Sequence, residues 1–330
     1  MTDHAADGSD DRLTYADTGV DIEASEDATA ALLEAFGSDL TTEYAGLLDI
    51  GDRYLALATD GGGTKLLVAE AVGDFSTIGI DCIAMNVNDL VAAGVEPVAF
   101  VDYLAVEEPD DGLTAEIGRG LAVGLEEADL ALLGGETAVM PEVISGFDLA
   151  GTCAGLAEEG ELLDGEAAVG DALVGIPSSG IHSNGLTLAR EAVTRAHSYG
   201  DPFPPAPDRT IGEELLTPTR LYGYLLEPMR DHDVHAAAHV TGGGLTNLLR
   251  MGDRRYVVDD PLPTQPVFEF VRAEGSVPRE EMYRTFNMGT GFVVAAPPAR
   301  ARAFAEATDG RLIGRVEEGE GVEIDGLTLS

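Results

Sequence analysis

The chain has 330 residues, 45% of them hydrophobic, which suits two domains and allows a sizeable core. Its net charge of −41 excludes nucleic-acid binding through a basic surface. No apolar run approaches the roughly 20 residues of a membrane span, and the acidic N-terminal segment does not resemble a signal peptide, so we expect a cytoplasmic protein without membrane contacts.

The acidic residues are spread along the whole chain. Sixty Asp and Glu residues stand against 19 Lys and Arg residues, and Lys65 is the only lysine. In molar salt the Debye length falls to about 3 Å, so a dense layer of hydrated carboxylates repels itself very little. We interpret the composition as an adaptation to an extremely halophilic cytosol.

Composition and periodicity divide the chain into a disordered acidic tail at residues 1–14 and two α/β domains at residues 15–160 and 165–330. In the first domain we predict helices at 25–36, 77–93 and 114–128, and strands at 54–59, 98–104, 130–133 and 147–156. In the second we predict strands at 173–176, 292–295 and near residues 312 and 322, and helices at 186–196, 219–232, 245–251 and 299–307. The order of elements in the first domain predicts a mixed sheet.

A glycine-rich loop follows the strand predicted at 54–59. It consists of Asp60, Gly61, Gly62, Gly63, Thr64 and Lys65. Consecutive glycines let backbone N–H groups approach a phosphate, and the acid, the hydroxyl and the ammonium are groups that bind a Mg-nucleotide. Because Lys65 is the only lysine in the chain, we prefer this interpretation to that of a simple turn.

A second loop of similar chemistry follows the strand predicted at 130–133. It consists of Gly134, Gly135, Glu136 and Thr137. Asp89 lies in the last turn of the helix at 77–93, where the helix dipole disfavours an anion. The ends of strands and helices collect at one edge of an α/β sheet, so we expect Asp60, Asp89 and Glu136 to converge on Mg²⁺.

Two loops of the second domain carry histidines beside small polar residues. Their candidate residues are Ser179, His182, Ser183 and Asn184 in one loop, and His239, Gly242, Gly243 and Gly244 in the other. No G-x-S-x-G segment is present, so a serine hydrolase is not expected. Each histidine is expected either to contact the substrate, as a phosphate ligand or a proton carrier, or to form only structural hydrogen bonds.

Eight segments, in order along the chain, resemble the motifs of phosphoribosylformylglycinamidine cyclo-ligases, also called AIR synthetases. They are 15–22 (YADTGVDI), 60–65 (DGGGTK), 78–90 (IGIDCIAMNVNDL), 134–138 (GGETA), 178–185 (SSGIHSNG), 218–222 (PTRLY), 238–244 (AHVTGGG) and 283–289 (YRTFNMG). Thr18 stands where the family has alanine, and Gly62 stands where it has valine. A single such motif is weak, whereas the ordered series is specific.

The resemblance implies a two-domain fold of α/β (α+β) class, in which the N-terminal sheets of two subunits form a barrel across a homodimer. It implies ATP-dependent cyclisation of formylglycinamidine ribonucleotide to aminoimidazole ribonucleotide, through phosphorylation of the formamide oxygen. By position it implies catalytic roles for Lys65, His182 and Asp89, and Mg²⁺ binding by Asp60, Asp89 and Glu136. Contacts to ATP are implied for the two glycine loops (60–65 and 134–137) and Asn88, and contacts to substrate for the candidate residues of the two histidine loops.

One departure concerns the nucleotide-covering segment of the family. No lysine or arginine occurs between Arg12 and Arg53, and the glycine-rich flap is short. Lys65 or an arginine of a second subunit would then neutralise more of the phosphate charge. Two alternatives remain, namely another ATP-using member of the same superfamily and a nucleotide-binding regulator without turnover.

The charge generates the first testable prediction. At low ionic strength the folded chain repels itself over about 10 Å, whereas at 1 M salt this range falls to about 3 Å. We therefore expect the melting temperature to rise steeply between about 0.1 M and 1 M KCl, and activity to fall together with the dimer as salt is removed. Melting, sizing and activity on one KCl series test this, and a flat melting temperature would refute the salt-adaptation hypothesis.

Overall fold

The computed structural model describes residues 12–19, 31, 44–163 and 166–330. Most of the predicted tail, the predicted helix at 25–36 and most of the flap segment lie outside these ranges. Leu13 belongs to the segment expected to be disordered, yet it is buried with 5% exposure because its apolar side chain packs into the core. Among the described residues, no helix combines the length and the apolar character that a membrane crossing requires.

In the part of the first domain that the structure describes, a five-stranded mixed sheet packs against α-helices. Its strands are β1 (Gly46–Asp49), β2 (Tyr54–Gly61), β3 (Glu96–Val106), β4 (Ala131–Val139) and β5 (Phe147–Ala157), and its helices are α1 (Lys65–Val72), α2 (Ile78–Ala92) and α3 (Asp111–Glu127). The strand order is β1-β2-β5-β3-β4. Only β3 and β4 pair in parallel, as a β-α-β connection requires, so the predicted mixed sheet is confirmed.

One face of this sheet is covered and the other is open. Side chains alternate along β2, so that Ala56 and Ala58 pack against the helices while Leu57 points to the other face and is 49% exposed. The helices α2 and α3 pack so closely that a Cβ at Gly79 would lie 2.6 Å from the carbonyl carbon of Gly120. The open face carries the exposed apolar side chains of Leu48, Leu57, Val101 and Tyr103.

The second domain is built on a seven-stranded sheet of order β14-β13-β10-β12-β6-β11-β9. Its paired strands are β6 (Ala172–Pro177), β9 (Ala236–His239), β10 (Arg255–Val258), β11 (Thr290–Ala296), β12 (Arg311–Glu317), β13 (Gly321–Ile324) and β14 (Leu327–Leu329), and a short hairpin is formed by β7 (Pro202–Phe203) and β8 (Ala206–Thr210). Its α-helices are α4 (Leu186–Thr194), α5 (Ile211–Leu215), α6 (Leu226–Asp231), α7 (Pro266–Gly275), α8 (Arg279–Thr285) and α9 (Pro298–Ala307).

Two predicted elements differ from the structure. The strand predicted at 130–133 continues as β4 through Val139, so Gly134 to Thr137 form part of an edge strand instead of a loop. The helix predicted at 219–232 begins only with the 3₁₀ turn Gly223–Leu225 and α6. Residues 217–222 are not helical because their backbone groups bond to polar side chains of α2.

A buried ion pair of the first domain lies at the junction with the second domain. The Lys65 ammonium lies 2.9 Å from the Asp81 carboxylate of α2 and donates to the backbone oxygen of Thr217 at 2.7 Å. Both charged side chains are 0% exposed. Burial lowers the pKa of Lys65, and the neighbouring Asp81 charge opposes that shift. The geometry therefore gives the ammonium a structural role at the domain junction.

We predict that Lys65→Met lowers the free energy of unfolding by about 3–5 kcal/mol, because it leaves the Asp81 carboxylate buried without its cation. Lys65→Met/Asp81→Asn should recover part of this loss. The measurement is denaturant unfolding at constant KCl.

Arg272→Met is the matched control, since it removes an exposed ion pair with Glu269 and should change stability by less than about 1 kcal/mol. A Lys65→Met variant as stable as this control would contradict the junction role and leave the lysine only the catalytic role that the family resemblance implies.

Candidate active site

Helix α2 organises the polar residues between the domains. Asp81 and Asn88 are seven residues apart, about two helical turns, so they share one face of α2. Both side chains are 0% exposed. A buried polar group needs hydrogen-bond partners, and here the second domain supplies most of them.

Asp81 binds two segments of the second domain. Its Oδ1 accepts from the backbone N–H of Thr219 at 2.7 Å, from the Thr219 hydroxyl at 2.6 Å and from the Ser183 hydroxyl at 3.1 Å. Together with Lys65, these donors compensate a carboxylate that would otherwise be unstable in the interior. Ser183, a predicted substrate contact, is therefore engaged inside the protein.

Asn88 fixes the neighbouring segment. Its Oδ1 accepts from the backbone N–H of Tyr222 at 2.8 Å, and its Nδ2 donates to the backbone oxygen of Arg220 at 2.9 Å. Tyr222 is 0% exposed, and its hydroxyl donates to the backbone oxygen of Pro177 at 3.0 Å. The predicted nucleotide contact of Asn88 stays a prediction, while its bonds in the structure place the 217–222 segment along α2.

His182 lies in a loop that is held in an unusual conformation. Its φ of 67° is in the left-handed region, which is uncommon for a residue other than glycine. Asn287 stabilises the loop by donating to the backbone oxygens of Gly180 at 2.8 Å and Ile181 at 3.1 Å. Sequence reasoning gave Asn287 no role, although it belongs to the segment at 283–289.

The imidazole of His182 has one free nitrogen. Its Nε2 accepts from the backbone N–H of Ser179 at 3.1 Å, so the neutral ring carries its proton on Nδ1. Burial lowers the pKa of His182 well below its ordinary value, and the neighbouring His239, Lys65 and Arg220 act in the same direction. The His182 ring is therefore a neutral donor at physiological pH.

That donor has no hydrogen-bond partner within the described part of the chain. The same holds for Oδ1 of the neighbouring Asn184, and both atoms are buried. Buried polar atoms are nearly always paired, so two unpaired atoms in one strained loop indicate a site for a ligand. This observation favours the functional interpretation of His182 over the structural one.

Asp60 and Asp89 form an acidic pair beside His239. Burial raises the pKa of Asp60 to about 6, and the nearby Asp89 charge adds to the shift, whereas the Gly61 N–H and His239 oppose it. Asp89 accepts from His239 Nδ1 at 2.9 Å and remains 21% exposed. Two partly buried carboxylates fit a hard cation, because Mg²⁺ takes one or two carboxylates together with phosphate oxygens and water.

Glu136 does not join this pair within one chain. Across the sheet, Glu136 of β4 pairs with Tyr103 of β3, Tyr103 pairs with Ala150 of β5, and Ala150 pairs with Gly61 of β2. Three strand spacings of about 4.8 Å therefore separate Glu136 from the end of β2, where Asp60 lies. Directly paired residues point to the same face, which places Glu136 with Tyr103 on the open face, opposite Asp60. Accordingly, the described residues contain no group of three His, Cys, Asp or Glu side chains suited to one metal ion.

The first glycine loop is partly closed to a phosphate. The N–H of Gly61 bonds to the Asp60 carboxylate at 2.7 Å, and the N–H of Gly62 bonds to the backbone oxygen of Leu149 at 2.8 Å. The Thr64 hydroxyl accepts from Thr187 at 2.9 Å. The backbone N–H groups that remain for a phosphate therefore begin at Gly63. The phosphate contacts of the loop stay predictions.

The other predicted glycines have packing roles in the structure. A Cβ at Gly135 would lie 2.7 Å from the Asp102 carboxyl carbon, and one at Gly244 would lie 2.8 Å from the backbone oxygen of Phe286. Gly243 and Gly244 have φ values of 96° and 57°, so the triple glycine forms a tight turn against the 283–286 backbone. Their contacts to ATP or to substrate stay predictions.

Comparison with known proteins identifies the family. Residues 42–157 match the model of the N-terminal domain of AIR synthase related proteins, and residues 168–326 match that of the C-terminal domain. The chain is 48% identical to a phosphoribosylformylglycinamidine cyclo-ligase of Methanosarcina barkeri, with coverage of 97% of this chain and 99% of the relative. It is also 48% identical to the protein of that name from Pyrococcus furiosus, with coverage of 86% and 87%.

Solved structures show the same fold at lower identity. Thiamine monophosphate kinase from Aquifex aeolicus is 18% identical with a TM-score of 0.67, and the alignment covers 94% of this chain and 99% of that one. The hydrogenase maturation protein HypE in complex with ATP is 20% identical with a TM-score of 0.62, and the alignment covers 89% and 87%. These structures therefore share the fold with this chain, whereas the sequence similarity over nearly the whole chain identifies the family: the chain belongs to the phosphoribosylformylglycinamidine cyclo-ligase family.

Proposed function

We propose that this protein uses ATP to close the imidazole ring of aminoimidazole ribonucleotide, starting from formylglycinamidine ribonucleotide. ATP phosphorylates the formamide oxygen. A nitrogen of the amidine then attacks the formamide carbon that bears this oxygen, and phosphate leaves. The observation that carries the proposal is the unpaired Nδ1 donor of His182. The loop of His182 is hydrogen-bonded to α2, and the last turn of the same helix carries Asp89. A regulator without turnover would not need such a donor kept free.

Phosphoryl transfer requires positioning and charge stabilisation more than covalent catalysis. We assign Asp60 and Asp89 to Mg²⁺, which would neutralise charge on the ATP phosphates when bound there. His182 donates its Nδ1–H to an oxygen of the substrate that becomes more negative during the reaction. Because the neutral ring already carries its proton on Nδ1, that atom acts as a donor and not as a base.

We further propose that the active form is a homodimer joined through the open face of the first sheet. Leu48, Leu57, Val101 and Tyr103 are each at least 40% exposed on that face. A contiguous apolar surface of this kind marks an interface. Glu136 lies on the same face, so any contribution of Glu136 to a metal would be made across the dimer.

The function is tested by measuring ADP release and aminoimidazole product formation with and without formylglycinamidine ribonucleotide. Both should require that substrate. Asp89→Asn should lower kcat/KM by about 10²–10³, the usual effect of removing one preorganised charge partner, while the surface control Glu126→Gln leaves it unchanged. Substrate-independent ADP release, or phosphorylation of thiamine monophosphate instead, would overturn the proposal.

The dimer is tested with two substitutions of equal exposure. Leu57 on the open face and Val123 on α3 are both 49% exposed. Leu57→Glu should produce monomers in light scattering at 2 M KCl, since it adds a charge to the centre of an apolar interface, and Val123→Glu should remain dimeric. Dissociation by both variants, or by neither, would argue against this interface.

A further inference from the structure

The environment of His239 assigns it a role that differs from the predicted contact with substrate. His239 ends β9 and is 0% exposed. Its ring lies beside Tyr222 and Phe292, with centroid distances of 6.3 Å and 6.5 Å. Its two nitrogens face protein groups, Nδ1 toward Asp89 at 2.9 Å and Nε2 toward Asn88 at 3.4 Å. A ring enclosed in this way has no nitrogen left for a substrate.

The orientation of Asn88 determines which ring nitrogen carries the proton. The backbone N–H of Tyr222 can only donate and the backbone oxygen of Arg220 can only accept, so the two ends of the Asn88 amide are fixed. The second hydrogen of Asn88 Nδ2 then points at His239 Nε2. That nitrogen must accept, and the proton of the neutral ring lies on Nδ1, directed at Asp89 Oδ1.

We propose that His239 is a positioning residue that holds Asp89 in a fixed orientation as a ligand for Mg-nucleotide, through the relay Tyr222 N–H, Asn88, His239, Asp89. The inference rests on the proposed function for the identity of the ligand. Asp89 lies close enough to Asp60 for their charges to interact unfavourably. A donor at Asp89 Oδ1 offsets that repulsion and leaves the remaining oxygen for the ligand, as outer hydrogen bonds do at metal sites.

Two amide substitutions separate this role from direct contact with substrate. The side-chain nitrogen of Asn reaches the position of Nδ1, whereas that of Gln reaches the position of Nε2. His239→Asn can therefore keep a donor at Asp89, and His239→Gln cannot. Calorimetric binding of a non-hydrolysable ATP analogue with Mg²⁺ should remain near the wild-type affinity in His239→Asn and weaken by about 10- to 100-fold in His239→Gln. The reverse order would overturn the proposal.

A second measurement uses the unmodified protein without nucleotide or metal. Long-range ¹H–¹⁵N correlation spectra distinguish the two neutral tautomers of a histidine, and the chain has six histidines. The signals of His239, identified by their loss in His239→Asn or, if that variant does not fold, in His239→Gln, should show protonation at Nδ1. Protonation at Nε2 would overturn the proposal even if neither variant could be used for binding.

These outcomes are independent of the overall reaction. If the wild-type protein bound Mg-nucleotide with the expected order of variants but formed no aminoimidazole product, the proposed reaction would fail and the role of His239 would stand. If product formed normally in His239→Gln with unchanged nucleotide affinity, the role of His239 would fail and the reaction would stand.

Discussion

The structure depends on the burial of polar side chains along one helix. Asp81 and Asn88 lie on α2, a helix whose buried residues are mainly apolar, and neither has contact with solvent. Each must therefore be satisfied by other protein groups, since an unpaired buried amide or carboxylate costs several kcal/mol. Apart from the Lys65 ammonium on Asp81, their partners belong to the second domain. The position of one domain relative to the other is therefore set by the hydrogen bonds that these side chains require as well as by apolar contact.

The same constraint explains how the site can be rigid and still keep a hydrogen-bond donor unpaired. The loop around His182 is fixed from two sides, through the hydroxyl of Ser183 on Asp81 and through the amide of Asn287 on the loop backbone. Such support can maintain a strained backbone at His182 and an unpaired donor on its ring. A loop without these hydrogen bonds would relax toward a conformation in which the imidazole donates to another group of the protein.

Much of the fold could be predicted from the sequence, because strongly apolar elements with clear stops follow simple periodicities. The shared face of Asp81 and Asn88 also followed from their spacing. Their partners in the second domain could not be predicted, since they lie more than 100 positions away and depend on how the domains pack. The sequence marked Lys65 as unusual, but its pattern could not show that Asp81, 16 positions away, binds the ammonium.

The position of Glu136 illustrates a second limit. Two glycines before an acid were interpreted as a loop, whereas β4 continues through them as an edge strand. Glycine disfavours strands, but pairing with β3 overrides that local preference, and a Cβ at Gly135 would meet the carboxylate of Asp102. Because alternate residues of a strand face opposite sides, the side chain of Glu136 points to the open face of the sheet and away from Asp60, with which it was expected to converge.

The burial of Lys65 gives the protein an unusual chemical property. Since the chain has no other lysine, its only side-chain amine is enclosed at the domain junction. Acylating, glycating or cross-linking reagents that modify surface lysines in most proteins find no such target on the folded molecule. The rate at which this one amine reacts therefore reports how often the two domains separate, and it does so against a background free of other lysine signals.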